Sequence, residues 1–128
     1  MSPMTLAQAL AQIDTLLPNT FSAAEKTRWL SEAEGHVADE ILRTHEGAGQ
    51  IAFSGYDETT DTAVPLLVPP PYDSLYRFYV EAQIHFANGE ATRCNNARSE
   101  WNNAFSVYQA YYTRTHRPLT PCGALRVC

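Results

Sequence analysis

The chain has 128 residues, 45% of them apolar and only 18% charged. That size suits one domain whose core can form without disulfide or metal staples. Fourteen acidic residues against nine Lys and Arg leave a net charge of −5, which argues against a grip on duplex DNA, since that needs a basic face to displace counterions. The charged share lies below the usual quarter or so, a hint that part of the surface is covered.

The first segment, TLAQALAQIDTLLP, sets Gln8 three residues after Thr5, a capping-box spacing. Leu6, Leu10, Ile13 and Leu17 follow at helical intervals and Pro18 ends the run. Ser22 and Glu25 repeat the device ahead of a second helix, expected from about Ser22 to His45 and roughly 35 Å long. Its apolar face is Trp29, Leu30, Ala33, Val37 and Ile41, with Glu32, Asp39 and Arg43 opposite and Gly47 as the stop.

Residues 46–71 break the helical pattern and predict an extended loop or a two-stranded β-arm, with β-prone runs at 51–53 and 64–68. Asp57, Glu58 and Asp61 mark its acidic tip. Leu66, Leu67 and Val68 ahead of three prolines are costly to leave in water, so this stretch should pack on its own chain or on the next.

Pro71 and Asp73 suit a helix start. Leu75, Tyr79, Ala82 and Phe86 form one stripe, flanked by Tyr76, Val80 and Ala87, before Asn88 and Gly89 interrupt. A further helix from about Glu90 to His116 carries Ala97, Trp101, Ala104, Phe105, Tyr108, Tyr111 and Tyr112. So short a break predicts an αα-hairpin. Residues 118–128 read as an extended tail. The expected fold is therefore all-α: one domain over 1–128, a bundle of about four helices with a C-terminal αα-hairpin and one long loop or arm.

Aromatic stripes at this spacing are core residues in most proteins. A wholly buried tyrosine needs a partner for its hydroxyl, however, and tyrosines favour interfaces. Tyr76, Tyr108 and Tyr112, together with Leu66, Leu67, Val68 and Leu119, are the expected subunit or partner interface, unless the hydroxyls simply reach solvent. Arg77, Arg93, Arg98 and Arg114 are scattered among acidic and amide residues, unlike the basic groove of a single-strand binder. Among His36, His45, His85 and His116 there is no HxxxH or HExxH. His36 and Glu40 form at most half of a metal site, and a solvated pair is the simpler reading. Without GxSxG, P-loop or GxGxxG, no catalytic residue, metal or cofactor is expected. The pairs Asn95-Asn96 and Asn102-Asn103 imply either amide hydrogen bonds between helices or subunits, or a polar outer face. Cys94, Cys122 and Cys128 include no CxxC and read as reduced thiols. The start of the chain lacks the pattern of a signal peptide and no apolar run reaches spanning length; a soluble, intracellular protein is expected.

The segment from Pro71 to Pro118 resembles a pattern, PYDxLYxxYxxAQIxxxNGExxxYNN followed by WNxAYxxYxxYYxRTHxP, found in small morphogenesis proteins of tailed phages and prophages. Here it runs through Pro71, Tyr72, Asp73, Leu75, Tyr76, Tyr79, Ala82, Gln83, Ile84, Asn88, Gly89, Glu90, Asn95 and Asn96, then Trp101, Asn102, Ala104, Phe105, Tyr108, Tyr111, Tyr112, Arg114, Thr115, His116 and Pro118. The likeness is to head–tail connector, or adaptor, subunits of siphophages. It implies a helical bundle with a protruding loop, made in the bacterial cytoplasm and built into the virion as a ring, commonly twelve-fold. The partners so implied are other copies of the chain, the portal protein and the next neck or tail-completion protein. DNA would pass through the channel without specific binding, no membrane would be involved, and the acidic loop tip would face that channel or a neighbouring ring. Cys94 stands where the pattern has an aromatic residue, and the tail after Pro118 has no counterpart. The pattern leaves open which neck component the chain resembles. The alternative of another class is a small acidic helical regulator that binds a protein as monomer or dimer.

Overall fold

In the computed structural model, which describes residues 2–119, Thr5 opens α1 (Leu6–Leu16) with the full capping box: its hydroxyl accepts the Gln8 N–H at 3.2 Å and the Gln8 carbonyl accepts the Thr5 N–H at 2.9 Å. Ser22 caps α2 (Ala23–Glu40) by accepting the Glu25 N–H at 3.1 Å. This second cap is one-sided, because the Glu25 carboxylate turns to Arg28 instead.

Helix α2 stops at Glu40, short of the expected His45. The Ile41 carbonyl is taken by the Thr44 hydroxyl at 2.8 Å and by the His45 Nδ1–H at 2.7 Å. These side chains close the helix end and pass the chain into a short 3-10 turn, Leu42–Thr44. Gly47 then adopts the left-handed conformation, with φ of 86°.

Helix α3 (Ser74–Ala87) starts after a turn in which the Tyr72 N–H reaches the Pro69 carbonyl. It ends in a Schellman motif: the Glu90 N–H bonds the His85 carbonyl at 2.9 Å, and the Gly89 N–H bonds the Phe86 carbonyl at 3.1 Å. That motif requires the positive φ of 74° that Gly89 adopts. It turns the chain into α4 (Ala91–Thr115), which packs along α3 as the expected αα-hairpin.

The four helices bury one core, drawn from Leu6, Ala9 and Ile13 of α1, Leu30, Ala33 and Val37 of α2, Leu75, Tyr76, Val80 and Ile84 of α3, and Tyr108 and Tyr112 of α4. The fold is the small all-α bundle expected from the spacing, with no β-strand among the described residues.

The loop of residues 46–71 is accordingly an extended loop and not a β-arm. Its returning limb lies over the start of α1. The N–H groups of Leu6 and Ala7, which a first helical turn leaves without internal partners, bond the carbonyls of Val64 and Thr62 at 3.0 and 2.9 Å. The Leu66 N–H bonds the Met4 carbonyl at 2.8 Å. This pairing presses Leu66 and Val68 into the core, so the apolar stretch packs on its own chain. Residues 44–46 pair with 117–119 in turn: the Glu46 N–H bonds the Arg117 carbonyl, and the Leu119 N–H bonds the Thr44 carbonyl. The rest of the expected tail, with Cys122 and Cys128, lies outside the described residues.

Candidate functional site

Most of the expected interface residues lie inside the subunit. Tyr76 and Val68 are 0% exposed, and Leu66, Tyr108 and Tyr112 are buried with them. That corrects the expectation for these five, since a side chain packed in its own core cannot be offered to a neighbour. Leu67 is half-buried and Leu119 exposed.

The physical reason for burying Tyr76 is Glu34. Its carboxylate is fully buried on α2 and accepts the Tyr76 hydroxyl at 2.5 Å, the Tyr56 hydroxyl at 2.9 Å and the Leu67 N–H at 2.8 Å. The Tyr76 oxygen in turn accepts the Val68 N–H at 2.9 Å. No Lys, Arg or His pairs with Glu34 among the described residues. Burial pushes the Glu34 carboxyl above its ordinary value of 4.5, against the smaller downward pull of its hydrogen bonds from Tyr76, Leu67 and Tyr56. Burial first, then the neighbouring Glu34, raises both Tyr56 and Tyr76, so both phenols stay protonated and donate.

Two further side chains, one on α2 and one on the 3-10 turn after it, hold the same loop. The Ser31 hydroxyl accepts the Tyr56 N–H at 2.9 Å. Arg43 pairs with Asp39 at 2.6 Å and donates to the Phe53 carbonyl at 2.6 Å. Glu34, Ser31 and Arg43 thus clamp the loop against the bundle. Sequence reasoning missed Glu34 and Ser31. One signal was present: Glu34 stands four residues after Leu30 and three before Val37, a charge on the apolar stripe.

The remaining polar groups also serve the fold. Lys26, nearly fully buried, reaches Asp14 at 2.6 Å and the Asn19 side-chain oxygen at 3.2 Å, closing the turn between α1 and α2. His45 is buried, stands edge-on to the Tyr112 ring, and shares a hydrogen bond of 3.0 Å between its Nε2 and the Thr113 hydroxyl. His85 meets Glu90 at 2.8 Å, a bond that holds the Glu90 carboxyl below its usual range. His36 and Glu40 form an exposed pair at 2.7 Å. No cluster of three or more His, Cys, Asp or Glu able to hold a metal occurs among the described residues.

The outer surface is sparsely charged along α4. Asn95, Asn96, Asn102 and Asn103 all face solvent, so they bridge no helices within the subunit. From Trp101 to Thr113 the helix carries no charged side chain, a run of about 20 Å. A groove of about 270 Å³ between α3 and α4 is lined by Tyr79, Gln83, Arg98, Trp101 and Asn102. It meets, at Arg98, a second groove of about 270 Å³ beside Phe86, Glu90 and Cys94. The Phe86 ring is 66% exposed, and the Arg98 guanidinium stands 5.7 Å from its centre. Beneath the first groove, the Tyr79 hydroxyl donates to Glu32 at 3.0 Å.

At the loop tip, Asp57 accepts the N–H and hydroxyl of Thr59 at 2.8 and 2.6 Å, and these bonds hold its carboxyl below the usual range. Asp61 accepts the Ala63 N–H at 3.0 Å. Asp57, Glu58 and Asp61 are all exposed.

No family model, curated protein or solved structure matches the chain. No described helix is long and apolar enough to cross a membrane.

Proposed function

We propose that the chain is a non-enzymatic structural subunit of a tailed-phage neck. In this reading it forms a closed ring, twelve-fold in the commonest arrangement, between the portal protein and the next neck or tail-completion protein, and extends the DNA channel within the virion. The observation that carries the reading is the outer face of α4. The segment whose pattern resembles connector subunits, Pro71 to Pro118, folds as one αα-hairpin, and its long helix offers solvent a face of amides, hydroxyls and Val107 without charge from Trp101 to Thr113. Charged residues are depleted from the centres of protein interfaces, and a helix face of this length without them suits repeated contact with neighbours.

Two further features support it. The hydroxyls of Tyr56 and Tyr76 and the carboxylate of Glu34 are satisfied within the subunit, which makes a rigid block. The net charge of −5 suits a wall past which DNA slides without sticking.

The test is negative-stain electron microscopy and native mass spectrometry of the chain, alone and mixed with its cognate portal ring. The expected result is a second closed ring seated on the portal. A stable dimer that ignores the portal would refute it in favour of a regulator, and a monomer that ignores the portal would refute it too.

A further inference from the structure

Two of the surface charges left unpaired in the subunit, one basic and one acidic, lie on separate elements. Among the described residues, Arg98 meets no carboxylate. It stands where the two α3–α4 grooves join, between Trp101 and Tyr79 on one side and the exposed Phe86 ring on the other. At the loop tip, Asp57 and Asp61 are engaged by Thr59 and Ala63, whereas the Glu58 carboxylate makes no hydrogen bond or ion pair among the described residues.

We infer that the acidic tip of one copy docks in the α3–α4 groove of the next, with Glu58 paired to Arg98 across the contact. This rests on the ring reading and specifies the contact that would build the ring. A guanidinium accepts a carboxylate through two parallel N–H donors, a geometry with more specificity than a point charge. The Phe86 ring positions Arg98 for that role, because a cation near an aromatic face is attracted to it. The tip arrives already ordered: the Asp57 and Asp61 hydrogen bonds shape it, and the clamp on α2 fixes its base. Little ordering entropy then opposes docking.

Glu90, the acidic side chain that lines the second groove, is already engaged by His85 at 2.8 Å and Arg93 at 3.3 Å. Tip and groove are different surfaces, so the contact is heterologous and each copy donates one and accepts one. Repeated about an axis, such a contact closes into a ring when the rotation permits. A tip seated on a neighbour cannot line the channel, so this assignment excludes the channel-facing role for Asp57, Glu58 and Asp61.

The experiment is a charge swap read by sedimentation velocity over a concentration series, with the portal ring present in a parallel set. Arg98→Glu and Glu58→Lys are both exposed changes, and thermal unfolding by circular dichroism should show each folded like the parent. Each variant alone should assemble about tenfold more weakly or worse. An equimolar mixture of the two should recover assembly, because every wrong contact then has a complementary partner. If the parent forms rings and the two variants form them equally well, or the mixture fails to recover, the docking assignment falls while the ring reading stands. If the parent never assembles under either condition, both fall.

Discussion

Replacing Tyr76 with Phe isolates the polar part of the Glu34 clamp. The ring and its packing remain, and only the hydroxyl goes. That oxygen sits between two buried groups, donating to Glu34 at 2.5 Å and accepting the Val68 N–H at 2.9 Å. Without it the Val68 N–H has no partner and the carboxylate keeps two of its three hydrogen bonds. A buried polar group left unpaired costs about 1–3 kcal/mol, and a bond to a charged group falls in the same range. The expected loss is therefore about 2–4 kcal/mol, a large part of the roughly 5–15 kcal/mol that holds a domain together. Urea unfolding followed by tryptophan fluorescence measures it as a lower midpoint at unchanged slope. The loss should also depend on pH. The Tyr76 bond is the largest influence lowering the Glu34 pKa, so removing it raises that pKa further, and the penalty grows once Glu34 ionises. A loss under 1 kcal/mol that is equal at pH 5 and pH 8 would refute the assignment of Tyr76 and Glu34 as a coupled buried pair.

Glu34→Gln tests the sign of the same linkage. A carboxyl whose folded pKa lies above its unfolded value of 4.5 contributes stability that is fully present below that value and lost as pH rises through the folded pKa. The difference in unfolding free energy between parent and variant should therefore shift in the variant's favour as pH rises above 4.5; a difference flat with pH would contradict it. Gly89→Ala places a side chain at φ of 74°, with no atom within 4 Å to clash, so backbone strain alone should cost about 1–2 kcal/mol in thermal unfolding. Lys26→Met keeps the buried stem and removes the contacts to Asp14 and Asn19. Because Asp14 is half exposed and regains water, calorimetry should show a loss of about 1 kcal/mol or less.

The helices were legible in the chain because their signals are local. Thr5 and Gln8, Ser22 and Glu25, and Asn88 and Gly89 act over three or four residues, and the apolar stripes repeat over one turn. The αα-hairpin followed from the short break between two such runs. What spacing left open was which ring of atoms meets which partner. Tyr76 sits beside the stripe of α3 and read as a surface tyrosine until Glu34, 42 residues earlier, supplied its acceptor. Leu66 and Val68 read as material for a neighbour until the start of α1 offered two N–H groups that only the returning loop could satisfy. The end of α2 moved for the same reason, since His45 is drawn toward Thr113, 68 residues on. Local backbone geometry is set by nearest neighbours along the chain, whereas a buried polar atom must find its partner wherever the packed helices bring one.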